Sequence, residues 1–151
     1  MRVQIFDLDN CISNDIKRIP LIDMSKTGDE RYEKYHQQCH KDRPANTHYI
    51  NEIYDTIIFT ARPEKYRPET ERWLDKVAGI REVKALLMRP YGNILKSPDL
   101  KEFYLDQLFD QFDILQRDIV CAYDDRWDVI EMYNRNGVVS EILKIHNLTY
   151  K

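Results

Sequence analysis

The chain begins with an apolar run that ends in two acids one residue apart, Arg2-Val3-Gln4-Ile5-Phe6-Asp7-Leu8-Asp9-Asn10-Cys11. The apolar residues favour a buried strand, and Asp9-Asn10 is typical of a turn, in which Asn adopts the left-handed conformation better than most non-Gly residues. We therefore expect Asp7 and Asp9 at the carboxyl end of a strand. In an open α/β sheet this end faces the ligand crevice, so a cation or a reacting phosphate explains the acids better than packing does. A plain acidic turn is the alternative.

Apolar, β-prone segments alternate with helical patterns along the rest of the chain. Further strands are predicted at residues 56–60, 83–88 and 118–123 and within 138–145. Helices are predicted from about residue 30, over 44–55 and 68–79, from residue 97, and over 126–136. This alternation predicts an α/β fold in three layers, a central and mainly parallel five-stranded sheet with helices on both faces.

The length suits one domain, and we predict a single domain over residues 1–151. Residues 12–54 separate the first two strands and are predicted to form a small, helical, cap-like insertion beside the strand ends. Its second helix is predicted over 44–55 from Pro44 and from the helical spacing of Tyr49, Ile50 and Ile53.

The composition argues against several classes of protein. Hydrophobic residues make up 42% of the chain, and no apolar run approaches the roughly 20 residues that span a bilayer. No leader pattern precedes the first strand, so no membrane association is expected. A net charge of −3 argues against tight, nonspecific binding to long nucleic acid. Three widely spaced cysteines indicate reduced thiols and a cytoplasmic location.

Polar side chains also follow the other predicted strands. Thr60 and Arg62 follow the second strand, Asp124 and Asp125 follow the fourth, and Lys101 lies in the helix after the third. Parallel strands bring all of these residues to the sheet edge that carries the first two acids. Carboxylates gathered there repel one another unless a cation lies among them, and a set of oxygen ligands selects Mg²⁺ over zinc. Lys and Arg suit a phosphate that touches this metal.

These residues form an ordered pattern. Asp7-Leu8-Asp9-Asn10, Thr60-Ala61-Arg62, Lys101 and Asp124-Asp125 resemble, in this order, the four motifs of the haloacid dehalogenase-like (HAD) phosphatases. The later half of the chain is similar to the phosphatase half of bacteriophage polynucleotide kinases and their stand-alone relatives, through Leu87-Met88-Arg89-Pro90, Asp99-Leu100-Lys101-Glu102, Asp124-Asp125-Arg126, Val129-Ile130-Glu131-Met132 and Gly137. The resemblance runs from residue 3 to about 137 and implies a Rossmann-like HAD fold.

The resemblance also implies a Mg²⁺-dependent phosphatase. Asp7 would attack phosphorus and form an aspartyl-phosphate, while Asp9 would protonate the leaving oxygen and then deprotonate the attacking water. Asp7, the backbone carbonyl of Asp9 and Asp124 would hold Mg²⁺. Asp125 would bind the metal through water or hold Lys101.

Further residues would hold the substrate. Thr60 and Lys101 would donate hydrogen bonds to the phosphoryl oxygens. Arg62 is expected at the mouth of the site, because it lies two residues beyond Thr60, and it would bind another part of a nucleotide with help from Arg89 and Arg126 at the rim.

Two parts of the sequence fit the family pattern less simply. Asn10-Cys11 replaces the Gly-Thr that usually follows the second acid in this family, and Asn can supply the backbone shape although a hydroxyl contact is lost. Lys96 is a rival for the role of Lys101, but it precedes the helix start at Ser97, so Lys101 is favoured.

The leaving group stays open at this stage. The resemblance indicates nucleotide phosphates, either 3′-phosphates on nucleic acid ends or nucleoside monophosphates. Other small phosphometabolites are an alternative, as is a non-catalytic phosphoacceptor or nucleotide-binding module. Phosphoacceptor receiver domains place the acid pair before the phosphoacceptor, and the opposite chain order here argues against them. The sequence leaves the oligomeric state open.

Overall fold

The computed structural model describes residues 1–148 of the chain. Its strands are β1 (Val3–Phe6), β2 (Ser13–Asn14), β3 (Arg43–Pro44), β4 (Asp55–Pro63), β5 (Val83–Arg89), β6 (Ile119–Asp124) and β7 (Ser140–Ile142). Its α-helices are α1 (Gly28–Gln37), α2 (Arg67–Lys76), α3 (Ser97–Gln111) and α4 (Trp127–Arg135). The last three residues of the predicted domain, 149–151, lie outside the described part.

The central sheet contains five strands in the order β5-β4-β1-β6-β7, and all of its strand pairs are parallel. The predicted α/β class and five-stranded sheet are therefore confirmed. β1 lies in the middle of the sheet, between β4 and β6. Asp7, which follows β1, and Asp124, the last residue of β6, therefore lie next to each other at the same edge of the sheet. This is the edge at which ligand sites form in open α/β sheets.

Each face of the sheet is covered by helices. Alternating residues of β1 point to opposite faces, so that Ile5 packs in one apolar core with α3 and α4, whereas Phe6 packs in a second core that includes Trp73 and Leu74 of α2. The unbroken apolar sequence of the central strands follows from this burial on both sides.

The insertion differs from its prediction. The α1 helix is present, but no helix forms over residues 44–55, where the chain instead has β3, which pairs with β2 in a small antiparallel sheet, and a 3-10 turn over Thr47–Tyr49. The buried Gln4 explains the difference, since its side chain donates to the Tyr49 carbonyl at 3.2 Å and accepts from the Asn51 backbone N–H at 2.9 Å. These contacts hold the segment in an irregular conformation that local spacing does not predict.

Other helices deviate only in detail. The hydroxyl of Ser97 does not cap α3, whose N-cap residue is Lys96. Val77 at the end of α2 and Phe103 of α3 are exposed although they are apolar. Within residues 1–148, no helix combines the length and the apolar character needed to cross a membrane.

Candidate active site

A buried lysine joins two of the predicted acids at the sheet edge. Nζ of Lys101, which is 2% exposed, lies 2.8 Å from Oδ1 of Asp7 and 2.5 Å from Oδ2 of Asp124. Asp7 is placed by the end of β1, where its backbone N–H donates to the Tyr123 carbonyl at 3.0 Å, and Asp124 is the last residue of β6. Lys101 comes from the first turns of α3. It contacts these two acids rather than Asp125.

Three carboxylates lie close enough to share one cation. Oxygen atoms of Asp7, Asp124 and Asp125 lie within 4.8 Å of one another. Burial and then the neighbouring carboxylates raise the pKa values of Asp7 and Asp125, because ionised acids repel each other in a poorly solvated site. A bound cation would relieve this repulsion, and the oxygen-only set fits Mg²⁺. The side chain of Asp9 lies outside this group.

Asp9 instead lies between two buried arginines. Nη2 of Arg62 is 2.7 Å from its Oδ1, and Nη2 of Arg18 also donates to this oxygen. Although burial opposes ionisation, Arg62 and Arg18 hold the pKa of Asp9 far below its usual range. Arg18 continues the network to Asp42, with Nε–Oδ1 at 2.7 Å, and Ser13 donates to the same carboxylate at 2.6 Å.

Sequence analysis missed Arg18 and Asp42. Both lie in the insertion, where the sequence shows no periodic pattern that would aim them at the first strand. The one available signal was the irregular run of charged residues between strands, which gives no information about distance in space.

The expected position of Arg62 is corrected by the structure. Arg62 is 0% exposed and lies behind Asp9, with further hydrogen bonds from its guanidinium to Thr70 at 3.3 Å and Ser13 at 3.2 Å. It does not reach the mouth of the site. The physical reason is that Asp9, Ser13 of the insertion and Thr70 of α2 supply acceptors inside the protein, so the guanidinium is held there.

Three other predicted residues already have hydrogen-bond partners inside the protein. The Thr60 side chain is buried and its Oγ1 accepts the backbone N–H of Arg62 at 3.1 Å. Arg89 lines the cavity, but its guanidinium donates to loop carbonyls, among them that of Leu95 at 2.6 Å. Arg126 also lines the cavity and is bound to Asp128, with Nη2–Oδ2 at 2.6 Å.

A cavity of about 600 Å³ opens above these groups. Asp7, Asp9 and Lys101 lie among its lining residues, as do Tyr32 and His36 of α1 and Ile94 of the loop after β5. The insertion therefore contributes one wall of the cavity.

His36 of α1 also lines the cavity. Burial lowers the pKa of His36 to about 3, so the imidazole is neutral at physiological pH. Its Nδ1 is buried and has no hydrogen-bond partner within the described residues.

Comparison with solved structures identifies the fold. A chain of the Pnkp1/Rnl/Hen1 RNA repair complex superposes with a TM-score of 0.67 at 21% identity, and the match covers 94% of this chain and 42% of that chain. A haloacid dehalogenase-like family hydrolase from Streptococcus pneumoniae gives a TM-score of 0.63 at 8% identity, covering 93% of this chain and 83% of that one. CbbY from Rhodobacter sphaeroides, in complex with phosphate, gives 0.64 at 10% identity, covering 94% and 85%.

The chain therefore has the fold of the haloacid dehalogenase-like hydrolases. It spans less than half the length of the RNA repair chain that it matches. No model of a known protein family matches the sequence, and no curated protein sequence matches it either.

Proposed function

We propose that this protein is a Mg²⁺-dependent phosphomonoesterase that acts on nucleotide phosphates through an aspartyl-phosphate. The observation that carries the proposal is the group formed by Asp7, Lys101, Asp124 and Asp125 below the cavity. The fold adds support, since solved neighbours with this fold include a hydrolase and a protein in complex with phosphate.

Asp7 supplies the nucleophile. One of its carboxylate oxygens attacks phosphorus, the bond from phosphorus to the leaving oxygen breaks, and an acyl phosphate remains on Asp7. Water then attacks the phosphorus, the bond to Asp7 breaks, and phosphate leaves. Lys101, which already contacts Asp7 at 2.8 Å, places a positive charge beside the oxygens on which charge develops. Thr60 is the second proposed donor to these oxygens.

Asp9 is proposed to move the protons. It gives a proton to the leaving oxygen in the first step and takes one from water in the second. The contacts to Arg18 and Arg62 favour its ionised form, which suits the second step. The first step requires that these contacts weaken when substrate enters, since a carboxylate bound to two arginines is a poor acid.

Asp7, Asp124 and Asp125 are the side chains that would hold Mg²⁺, together with the Asp9 carbonyl that the family resemblance implies. When bound, the cation neutralises the carboxylates and the phosphate that they face. The fit rests on three oxygen donors within 4.8 Å and on the raised pKa values of two of them.

The cavity supports a substrate larger than phosphate alone. Its volume of about 600 Å³ lies within the usual range for small-molecule sites, and aromatic and aliphatic side chains of α1 and the loop after β5 can pack on a nucleoside. The likeness to a chain of an RNA repair complex favours a 3′-phosphate on a nucleic acid end, whereas the net charge of −3 favours a free nucleotide. Arg89 and Arg126 remain the proposed substrate contacts at the rim.

We also propose that residues 1–151 form one phosphatase domain with a cap-like insertion at about 12–54. A cytoplasmic location is proposed from the three cysteines, all buried free thiols.

A substrate panel tests the function. The protein is assayed with Mg²⁺ against nucleoside 3′- and 5′-monophosphates, 3′-phosphorylated oligonucleotides and sugar phosphates, with release of phosphate as the measured quantity. We expect turnover of at least one nucleotide class at ten times or more the kcat/KM for sugar phosphates. Equal activity on both would remove the nucleotide specificity, and no activity on any would contradict the phosphatase proposal.

A further inference from the structure

Asn10 occupies the position at which the HAD phosphatases usually have Gly. Its backbone has φ 61°, a left-handed conformation that Gly adopts without strain and that Asn tolerates. The turn after Asp9 therefore does not require the Asn side chain. A buried amide at this position needs another explanation, since its polar atoms must be satisfied.

The side chain of Asn10 connects Asp125 to Ile145 and His146, which lie near the end of the described residues. Its Nδ2 donates to Oδ2 of Asp125 at 3.2 Å and to the carbonyl of His146 at 3.1 Å. Its Oδ1 accepts the backbone N–H groups of Ile145 at 3.1 Å and His146 at 2.9 Å. We call residues 143–148 the C-terminal segment. All the hydrogen-bonding capacity of the amide is thus used between this segment and one carboxylate.

The C-terminal segment is itself fixed next to the metal-binding acids. The N–H of Leu143 donates to the Asp124 carbonyl at 2.9 Å, so the segment continues directly from the strand edge. His146 is held from its other side by Asp15, with Nε2–Oδ1 at 2.6 Å. The Asn10 amide therefore has a rigid support from which to orient Asp125.

We propose that Asn10 is a positioning residue that orients the Asp125 carboxylate for Mg²⁺ and so raises the affinity of the site for this ion. The inference rests on the proposed function. Its physical reason is that a carboxylate held by a hydrogen bond in its binding geometry loses less rotational freedom when the cation binds. A Gly in its place keeps the turn and loses the orientation.

The chain offers a matched control. Asn46 also has a positive φ, 55°, and its Nδ2 also holds the C-terminal segment, through the Lys144 carbonyl at 3.5 Å, together with the Cys11 carbonyl at 2.9 Å. It makes no contact with Asp125 among the hydrogen bonds of the described residues. Asn46→Gly thus removes a hydrogen bond to the C-terminal segment from a residue that also has a positive φ. It leaves the hydrogen bond of Asp125 intact.

The test compares the wild-type chain with its Asn10→Gly and Asn46→Gly variants. Mg²⁺ binding is measured by calorimetry without substrate, the melting temperature is measured in EDTA, and phosphate release is measured against Mg²⁺ concentration. We expect Asn10→Gly to fold, because Gly suits φ 61°, and to bind Mg²⁺ roughly tenfold more weakly, with a matching rise in the Mg²⁺ concentration for half-maximal activity. Asn46→Gly should lower the melting temperature and leave the Mg²⁺ affinity within about twofold of wild type.

A double variant locates the effect. In an Asp125→Asn background, the change Asn10→Gly should no longer alter Mg²⁺ affinity, because the carboxylate that it orients is gone. An unchanged Mg²⁺ affinity in Asn10→Gly, or an equal loss of Mg²⁺ affinity in Asn46→Gly, would overturn the inference. The proposed function would stand in that case, provided that the wild type binds Mg²⁺ and hydrolyses phosphate esters. A wild type that neither binds Mg²⁺ nor hydrolyses phosphate esters would instead overturn the proposed function, and the inference with it.

Discussion

Asp9 lies between Arg18 and Arg62, and their charge keeps it ionised, whereas a residue that protonates a leaving oxygen must first carry a proton. Both arginines are buried and neither lines the cavity, so the acid role requires that one of these ion pairs loosen when substrate enters. The pKa of Asp9 then rises toward the range in which proton transfer is efficient. Residue 9 would then act as an acid only in the presence of substrate.

Replacing Asp9 by Asn separates this role from metal binding. The variant should still bind Mg²⁺, since the side chain of Asp9 is not among the three clustered carboxylates. Its kcat should fall by roughly a hundredfold or more for a nucleotide and much less for p-nitrophenyl phosphate, whose leaving group needs little protonation. Steady-state kinetics on both esters provide the comparison. Equal losses on the two substrates would argue that Asp9 is not the general acid.

Among the elements, α1 forms one wall of the cavity, and of its two lining tyrosines Tyr32 is only partly buried whereas Tyr35 is buried. If a nucleobase packs there, Tyr32→Ala should raise KM for nucleotides by about fivefold to 150-fold, as base stacking on an aromatic side chain contributes roughly 1–3 kcal/mol. KM for glycerol phosphate, which has no base, should change little.

Tyr49→Ala is the matched control, because Tyr49 also belongs to the insertion but packs on Tyr123, with ring centroids 5.6 Å apart. Equal effects of Tyr32→Ala on nucleotides and glycerol phosphate would show that the helix shapes the cavity without recognising a base.

Most of the secondary-structure elements could be predicted from the sequence, but not all of them. Four of the five sheet strands were predictable because each is a short apolar run followed by turn or polar residues, and parallel strands then fix where their acids meet. The fifth, β7, has the sequence Ser-Glu-Ile and could be placed only within residues 138–145. The segment over 44–55 was not predictable, since the side chain of Gln4, more than 40 positions away, holds it in place. Arg62 illustrates the same limit: its sequence position places it near the site, but Asp9 and the insertion decide that it lies inside.

At the scale of the whole molecule, the raised pKa values of Asp7 and Asp125 make stability depend on pH. With raised values, the folded chain binds more protons than the unfolded chain once the pH exceeds the unfolded value of about 4. This contribution to stability is complete below that pH and is lost as the pH rises through the folded values. In EDTA, the melting temperature should therefore fall as the pH is raised from about 5.

Saturating Mg²⁺ should reduce this fall, because it stabilises the ionised carboxylates. The Asp125→Asn variant should also flatten the dependence in EDTA, as it removes one of the two groups. Thermal unfolding between pH 5 and 9 measures both effects. A melting temperature in EDTA that rises over this range, or an unchanged slope in the variant, would contradict the assigned coupling.

Asp7 is proposed to attack phosphorus in a Mg²⁺-dependent phosphatase. The most direct measurement is the rate of phosphate release from the best substrate by wild type and by Asp7→Asn, each with Mg²⁺ and with EDTA, with folding checked by melting temperature. We expect turnover only by wild type with Mg²⁺, and a loss of roughly a thousandfold or more in the folded Asp7→Asn variant, because an amide cannot replace the nucleophile. Undiminished turnover by Asp7→Asn, or full wild-type activity in EDTA, would contradict this proposal.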